Sequence, residues 1–378
     1  MMKILITDIH HGNGGGHVTY ILNLLRGLKD QCNLTLAAPA SGRLFDLASK
    51  IQGVRTVPCL YTSRPLPLLN EVLSLRRFLA RESFDVVHVN GSADHRHMML
   101  ARLGLRRQPA IVWTKHNTKS IDSFGHRLRA RFGTDAAIGV SKYVTGQLEN
   151  SCYKRCDVHS IYHGIDPHFF LPVTAEQRKA YRAQLFGGLP EDILVFGSTG
   201  GTDLDKGWML LAEAVTALPV ALRTRVRIVV AGDLPPPGII ERLRGIGLDD
   251  DQIVFPGLVK DVRPILGACD VGFVLSYHEA ASYALYEAMS VGLPALVSDA
   301  GGLPEGVHEN SVGWVTPAGD VEALTKCLHT ILGTDPAVLM RMGSHARARI
   351  EDVFSLSAFL KHTNDVYRRA ASATSAGR

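Results

Sequence analysis

The segment that decides the fold is "HEAASYALYEAMSVGLPALVSD" (His278–Asp299). It contains two glutamates, Glu279 and Glu287, separated by seven residues. An apolar strand precedes it, and the segment itself predicts a loop, a helix capped by Ser282 and ended by Gly292, and a second strand. We therefore expect Glu279 at the carboxyl end of a strand and Glu287 just over one turn into the helix, where both can face one ligand.

The same alternation of short apolar runs and helical spacing extends along the chain on both sides. The predicted strands lie at residues 3–8, 33–38, 84–90, 110–116, 136–141 and 157–164, and again at 192–201, 225–233, 252–257, 269–276, 293–299 and 312–317. A proline-containing segment (Ile165–Leu185) interrupts the two series. Strands that alternate with helices predict parallel sheets covered by helices on both faces.

We therefore predict an α/β protein with two Rossmann-like domains whose parallel sheets face a central cleft. The predicted parts are an N-terminal domain at residues 1–168, a C-terminal domain at 169–355, and a C-terminal helix at 356–378. This helix is expected to pack back toward the N-terminal domain and to end in a frayed tail. Ligands bind beyond the carboxyl ends of the strands in such sheets, so the cleft is the expected site.

Composition limits the function classes. The chain has 378 residues, of which 46% are hydrophobic and 20% charged, and no apolar run approaches the roughly 20 residues that span a bilayer. Six scattered cysteines include Cys152 and Cys156, but no second pair completes a zinc site. They predict free thiols in a reducing compartment, hence a cytoplasmic location and no metal site.

Charge is distributed unevenly. Residues 1–165 carry 22 Lys and Arg against 11 Asp and Glu, whereas residues 166–378 carry 19 against 25. The basic half predicts an anionic partner, unless its arginines are ordinary surface residues. Two arginine-rich segments, Arg102–Gln108 and His126–Phe132, suit an anionic membrane surface or an anionic acceptor, and the protein would then be peripheral at the inner face of a membrane. A small soluble acceptor fits nearly as well.

A glycine-rich loop follows the first predicted strand. "HHGNGGGHV" places Gly14, Gly15 and Gly16 before a helix, which suits close approach of the backbone to a ligand and also simple tight packing. The loop is neither a Walker A motif nor GxGxxG, and no GxGxxG follows any other strand. A dehydrogenase is therefore disfavoured.

Two more motifs follow predicted strands. "TKHNT" ends a strand with three side chains able to form hydrogen bonds in the cleft, namely Lys115, His116 and Asn117. "STGGTDLDKGW" combines Gly200 and Gly201 with Lys206, an arrangement typical of a phosphate cradle with a cation.

The two glutamates could serve one extended ligand. Carboxylates at Glu279 and Glu287 suit the hydroxyls of a sugar and a ribose, and the backbone N–H groups of Ala281, Ser282 and Tyr283 suit an anion between them. Without further context, such a pair would more often be two solvated surface glutamates.

With these motifs in order, the chain resembles the retaining glycosyltransferases of family four, which have the GT-B fold. Their signature is a Glu, seven residues, Glu-Ala-Met, then Gly-x-Pro and a later Gly-Gly, as in the segment that starts at His278. "IYHGIDPHFF" resembles their interdomain Asn-Gly-Val-Asp-x-x-x-Phe segment with His163 in place of Asn, and "VSKYVTGQL" resembles their Val-Ser segment. The resemblance covers essentially the whole chain.

The resemblance implies transfer of a hexose from a nucleoside diphosphate sugar, either a UDP- or a GDP-sugar, to a hydroxyl of a glycan or lipid-linked acceptor. The transfer would proceed with retention of configuration and without a metal or other cofactor, and no nucleic acid would take part. The process suggested is synthesis of a cell-surface polysaccharide or lipopolysaccharide. The N-terminal domain would be the acceptor side and the C-terminal domain the donor side.

The resemblance also implies roles for matching residues. Glu287 would hold the ribose hydroxyls, Glu279 would contact the donor sugar, and His116 would lie near the transferred sugar. The implied catalytic residues are His116, Lys206 and Glu279. The implied donor-binding residues are Gly15, Gly16, Gly200, Gly201, Lys206, Glu279, Ala281, Ser282, Tyr283 and Glu287. We expect acceptor contacts from His17, Lys115 and Asn117.

The chain departs from the family pattern at two places. Ala281-Ser282-Tyr283 replaces the usual Gly-Phe-Gly, and the usual Gly-Arg ahead of Lys206 is absent, so another group must meet part of the diphosphate charge. Two other function classes remain open, namely a sugar-nucleotide epimerase of the same fold and a non-enzymatic nucleotide-sugar binding protein.

Overall fold

The computed structural model describes residues 1–13, 15–307 and 310–376. They form two compact units. Unit 1 consists of Met1–Gly164 together with Leu356–Arg378, and unit 2 consists of Ile165–Ser355. Each unit is an α/β structure built on a parallel sheet, as the sequence predicts.

Both sheets are assembled from short strands. Those of unit 1 are β1 (Met2–Thr7), β2 (Cys32–Ala38), β3 (Val54–Pro58), β4 (Val86–Val89), β5 (Ala110–Lys115), β6 (Ala136–Gly139) and β7 (Asp157–Ser160). Those of unit 2 are β8 (Leu194–Ser198), β9 (Val226–Val230), β10 (Ile253–Val254), β11 (Val271–Val274), β12 (Ala295–Ser298) and β13 (Gly313–Thr316). The described strands lie in the orders β3-β2-β1-β4-β5-β6-β7 and β10-β9-β8-β11-β12-β13.

Helices connect and cover these strands. In chain order they are α1 (Gly15–Leu28), α2 (Arg43–Ser49), α3 (Pro65–Glu82), α4 (Ser92–Arg102), α5 (Phe124–Phe132), α6 (Lys142–Glu149), α7 (Ala175–Phe186), α8 (Trp208–Thr216), α9 (Val220–Arg223), α10 (Ile239–Gly245), α11 (Arg263–Gly267), α12 (Tyr283–Ser290), α13 (Val321–Leu332), α14 (Pro336–Val353) and α15 (Leu356–Ala376). Among the described residues, no helix has both the length and the apolar character needed to cross a membrane.

The last helix is an integral element of unit 1. A Cβ at Gly27 of α1 would lie 2.2 Å from a methyl carbon of Leu360, so glycine permits the close approach of α15 to α1. The hydroxyl of Tyr367 lies 2.5 Å from Nδ1 of the buried His88 on β4. Helix α15 continues to Ala376, through most of the segment where the sequence predicts a frayed tail.

Arg102 has a structural role that the sequence did not predict. It is 7% exposed at the end of α4, where its guanidinium pairs with Asp135 and donates to the carbonyl oxygens of Phe132 (2.7 Å) and Pro109 (3.3 Å). The expectation that the segment Arg102–Gln108 offers its charges to an anionic surface therefore does not hold for Arg102.

Candidate functional site

In unit 2, two loops lie together at the carboxyl ends of the neighbouring strands β8 and β11. The β8–α8 loop comprises residues 199–207, and the β11–α12 loop comprises residues 275–282. The backbone N–H of Tyr277 donates to the carbonyl oxygen of Asp205 (3.0 Å) and so joins the two loops. This edge is where ligands bind in open parallel sheets.

Gly207 fixes how closely the loops approach. Its φ is +74°, and a Cβ there would lie 1.9 Å from the carbonyl oxygen of Leu275. A side chain at this position would be strained by the backbone conformation and would also clash. Glycine after Lys206 therefore brings the lysine beside the β11–α12 loop.

Lys206 and Glu279 form an ion pair across these loops. Nζ of Lys206 lies 3.1 Å from Oε2 of Glu279, and the hydroxyl of Ser276 donates to the same oxygen at 3.2 Å. Burial would lower the pKa of Lys206, but the charge of Glu279 outweighs it and raises the pKa above its usual value. The sequence-predicted cation and the first predicted carboxylate are thus brought together.

Glu287 of α12 contacts the first residue of the β8–α8 loop. The hydroxyl of Thr199 donates to Oε2 of Glu287 at 3.0 Å. Burial raises the pKa of the Glu287 carboxyl to about 7, although the hydrogen bond from Thr199 acts in the opposite direction. A half-buried carboxyl that accepts the hydroxyl of Thr199 is suited to accept further hydroxyl hydrogen bonds.

The start of α12 lies between the two glutamates in sequence. Ser282 caps the helix, because its hydroxyl accepts the backbone N–H of Leu285 at 3.3 Å, as predicted. Ser282 and Tyr283 are 8% and 7% exposed, and Ala281 is half-buried. The Ser282 hydroxyl is therefore used in capping the helix. The start of α12 carries the positive end of the helix dipole, which favours an anion.

The glycines of the β8–α8 loop lie close to α12. A Cβ at Gly200 would lie 3.7 Å from the Cβ of Ala284, which is ordinary contact, so packing alone does not demand glycine there. Gly201 has φ +98°, and its backbone N–H donates to the carbonyl oxygen of Ala231 at 3.2 Å. The positive φ accounts for glycine at 201.

In unit 1, His116 follows β5 and lies in a cluster of rings. Its Nε2 is 2.9 Å from Oδ1 of Asn90, and its ring centroid is 4.2 Å from that of His17 and 4.6 Å from that of Tyr20. Burial, and secondly the neighbouring histidines, hold the pKa of His116 well below its usual range. His116 is therefore neutral near pH 7.

The first turn of α1 brings His17 to this cluster. Gly15 begins the helix with φ +40°, Gly16 follows it, and Gly14 lies outside the described residues. The buried Asp8, just beyond β1, has Oδ1 2.9 Å from Nδ1 of His10 and 3.8 Å from Nδ1 of His17. Burial would raise the pKa of Asp8, but the two imidazoles outweigh it and lower the pKa below its usual range.

Lys115 is directed into its own loop. Its Nζ donates to the carbonyl oxygens of Asn117 and Lys119, both at 2.7 Å, and burial lowers its pKa to about 8. Asn117 is exposed, and its side-chain oxygen accepts the backbone N–H of Lys119 at 3.1 Å. Of the two, Asn117 is the more accessible to a ligand.

Sequence reasoning missed several partners of the predicted residues. Thr199 follows β8 directly and could have been found as a strand-end hydroxyl, whereas Ser276 and Asn90 carry no distinctive pattern. Asp8 and His10 flank the end of β1, two residues apart, and that spacing is too common to single them out. Thr199, Ser276 and Asn90 contact Glu287, Glu279 and His116 in that order. Asp8 and His10 contact His17 instead.

Two family models match the chain in succession. Residues 14–169 match the model of Glycosyltransferase Family 4, and residues 191–334 match that of Glycosyl transferases group 1. MMP alpha-(1->4)-mannosyltransferase of Mycolicibacterium hassiacum is 34% identical over 169 residues, which span 44% of this chain and only 40% of that relative. UDP-Gal:alpha-D-GlcNAc-diphosphoundecaprenol alpha-1,3-galactosyltransferase of Escherichia coli is 22% identical over 374 residues, 89% of each chain.

Solved structures share the architecture over nearly the full length. HepE of Anabaena, in complex with UDP-glucose, has a TM-score of 0.79 and 20% identity and covers 98% of this chain and 100% of its own. At this identity the likeness establishes the fold, which is GT-B. With both family models matched in order, on two parallel-sheet units, the chain belongs to the family-four glycosyltransferases.

Proposed function

We propose that the protein is a retaining glycosyltransferase that moves a hexose from a nucleoside diphosphate sugar to a hydroxyl of a glycan or lipid-linked acceptor. The observation that carries this proposal is the β8–α8 loop, which meets Glu287 through Thr199 and Glu279 through Lys206. A nucleoside diphosphate sugar has hydroxyls at both ends and phosphates between them. Two carboxylates with a cation and a helix start between them match that order of groups.

The donor roles follow from these contacts. Glu287 would accept hydrogen bonds from the ribose hydroxyls, and Glu279 from the sugar. The diphosphate would bind at Lys206 and at the start of α12, near Ala281, Ser282 and Tyr283, with Gly200 and Gly201 alongside. Because charge develops on the leaving diphosphate, preorganised donors there supply the main electrostatic contribution to catalysis.

The proposed transfer exchanges one bond at the anomeric carbon. The bond from C1 to the diphosphate oxygen breaks, and a bond from C1 to the acceptor oxygen forms on the same face. In this proposal the acceptor proton passes to the leaving diphosphate, and neither a protein nucleophile nor a metal ion takes part. We assign the neutral His116 to the transferred sugar, Gly15 and Gly16 to contacts with the donor, and His17, Lys115 and Asn117 to the acceptor.

The names of two similar proteins favour particular substrates. The Escherichia coli relative is named for a UDP-Gal donor and a diphosphoundecaprenol-linked acceptor, and its product linkage is alpha. HepE binds UDP-glucose. We propose a UDP-sugar donor ahead of a GDP-sugar, a lipid-linked glycan acceptor and a role in cell-surface polysaccharide or lipopolysaccharide synthesis.

A lipid-linked acceptor would bring the protein to a membrane surface, and α3 offers a suitable face. Leu66, Leu69 and Leu73 are 77%, 53% and 41% exposed, and their spacing of three and four residues places them in one stripe. The exposed Arg77, four residues further, continues the stripe. Apolar residues followed by a cation suit an anionic bilayer, so we propose a cytoplasmic protein that binds peripherally through α3.

A two-stage experiment tests the proposed function. Thermal unfolding is measured with UDP, GDP and their hexose derivatives, since a ligand at 100 times its dissociation constant stabilises by about 2.7 kcal/mol. The stabilising donor is then incubated with and without a polyprenyl-diphosphate glycan, and the anomeric configuration of the product is determined by NMR.

The alternatives give different products. An α-linked product that forms from an α-linked donor only with acceptor supports transfer. An altered donor sugar formed without acceptor would indicate an epimerase. Donor binding without hydrolysis or transfer, across a panel of acceptors, would indicate a binding protein.

A further inference from the structure

A group of side chains able to bind a metal ion lies in unit 1, whereas Lys206, Glu279 and Glu287 belong to unit 2. The ligand atoms of Asp8, His10 and His17 all lie within 4.8 Å of one another. Within residues 1–13, 15–307 and 310–376, no other three histidines, cysteines or acidic residues meet this limit. The sequence predicted no metal site because Cys152 and Cys156 have no second pair of cysteines to complete one.

We propose that Asp8, His10 and His17 form a binding site for one divalent transition-metal ion of the Zn²⁺ class. Imidazole nitrogens and carboxylate oxygens bind Zn²⁺ at about 2.0–2.1 Å, so two ligand atoms of a tetrahedral site lie about 3.3–3.4 Å apart. Asp8 Oδ1 lies 2.9 Å from Nδ1 of His10 and 3.8 Å from Nδ1 of His17. The two distances bracket the required separation, and the ligand atoms of the two histidines lie within 4.8 Å of each other.

The surroundings of the three residues suit a bound ion. The Asp8 side chain is fully buried, whereas those of His10 and His17 are 37% and 25% exposed, which leaves an entry path. Nδ1 of His17 is buried and, within the described part of the chain, has no hydrogen-bond partner. A metal ion would satisfy this nitrogen and keep a further position for water or a ligand oxygen.

The ligand set determines the class of metal. Two imidazoles with one carboxylate favour Zn²⁺, Co²⁺ or Ni²⁺, whereas Mg²⁺ and Ca²⁺ prefer oxygen ligands alone. Oδ2 of Asp8 accepts the backbone N–H of His10 at 3.2 Å, which orients the carboxylate. A bound ion would join the end of β1 to the first turn of α1.

Co²⁺ serves as the spectroscopic probe. The untagged, metal-depleted full-length chain is titrated with Co²⁺ and followed by visible absorption and calorimetry. We expect one ion per chain, with bands of nitrogen and oxygen coordination and no thiolate charge-transfer band, displaced by Zn²⁺ but not by millimolar Mg²⁺. Affinity for a nucleoside diphosphate should not change, so this test does not depend on the proposed transferase activity.

Variants identify the ligands. His10→Ala and His17→Ala should each weaken Co²⁺ binding about tenfold or more. His11→Ala is the matched control, because His11 is exposed and contacts Ser41 at 3.2 Å instead. Equal affinity in wild type and both ligand variants, or an equal loss in His11→Ala, would overturn the proposal.

A measurement on the wild type guards against variants that fail to fold. Chemical modification of histidines is mapped by mass spectrometry with and without Zn²⁺. We expect Zn²⁺ to protect His10 and His17 and to leave His11 reactive. Protection of none of the three, or of His11 alone, would also overturn the proposal.

Discussion

The ammonium nitrogen of Lys206 lies 3.1 Å from a carboxylate oxygen of Glu279, so two residues that arrive from different loops hold each other in place. Their side chains are 28% and 17% exposed, which limits the screening of the pair by water. A diphosphate that binds Lys206 would compete with Glu279 for the cation. The carboxylate would then be released to accept a hydroxyl of the donor sugar.

Replacement of Lys206 should therefore affect turnover more than folding. We expect Lys206→Ala to lower kcat by about 10²–10³-fold, the typical cost of one donor aimed at developing charge. The control is Lys326→Ala, which breaks the exposed pair with Glu322 (2.6 Å) and should leave kcat unchanged. Steady-state kinetics with saturating donor measure both. A kcat within twofold of wild type for Lys206→Ala would show that another cation holds the diphosphate.

Glu287 should make stability depend on pH. Burial raises its pKa from 4.5 to about 7, so between these values the folded state binds the proton more tightly than the unfolded state. The stability it contributes is present below pH 4.5 and is lost as the pH rises through 7. From pH 5 to pH 8, wild type should lose about 2–3 kcal/mol more than Glu287→Gln. Urea denaturation of both proteins at both pH values measures this difference. The same change of unfolding free energy with pH in wild type and in Glu287→Gln would contradict the prediction.

The affinity for nucleotide should depend on pH in the opposite direction, also because of Glu287. The ionised carboxylate accepts hydroxyl hydrogen bonds more strongly than the protonated form, so affinity for a nucleoside diphosphate should rise from pH 6 to pH 8. Glu287→Gln should abolish this rise and weaken binding at pH 8 by about 1–3 kcal/mol. Calorimetry at several pH values decides the point, and the exposed Glu322→Gln serves as control.

Arg102 and Arg106 should behave differently although they lie four residues apart. Arg102→Ala removes the guanidinium partner of Asp135, which is 32% exposed and still accepts the backbone N–H of Ile111. We therefore expect a loss of about 1–3 kcal/mol of unfolding free energy. Arg106 is exposed, so Arg106→Ala should change stability by less than about 0.5 kcal/mol. Denaturant titrations of both variants provide the measurement. Equal stability of the two variants would mean that the ion pair of Arg102 with Asp135 has no energetic role.

The exposed stripe of α3 should govern membrane binding. Replacing Leu66, Leu69 and Leu73 together by serine should abolish co-sedimentation with anionic vesicles. Donor affinity should not change, because none of the three is a proposed donor-binding residue. The control carries Val220→Ser and Met340→Ser, which remove exposed apolar side chains of unit 2. Pelleting that is equal in all three proteins would remove the support for α3.

Most of the sheet was predictable because strands of a parallel sheet are buried on both faces and so have continuous apolar sequences. The edge strand β3 was not, because it is only partly buried and ends at Pro58. The positions of Glu279 and Glu287 were predictable as well. They depend on a strand end and on helical phase, which are local properties of the sequence.

Pairings between distant segments were beyond prediction. Lys206 reaches Glu279 only because Gly207 packs against Leu275, and nothing local in either segment shows this. Arg102 is in a segment that is otherwise exposed and basic, so its burial against Asp135 had no sequence signal. His10 and His17 meet Asp8 through a turn whose geometry the glycine-rich sequence leaves undetermined.

The place of α15 has a consequence for synthesis on the ribosome. Leu360 lies beside Gly27, and Tyr367 contacts His88. Between these partners the ribosome translates the whole of unit 2, residues 165–355. The whole of unit 2 therefore emerges before the chain segment that completes unit 1. Unit 2 can therefore fold before unit 1 is complete. Until α15 is made, α1 lacks its helical partner, and the incomplete unit 1 is exposed to chaperones and to aggregation.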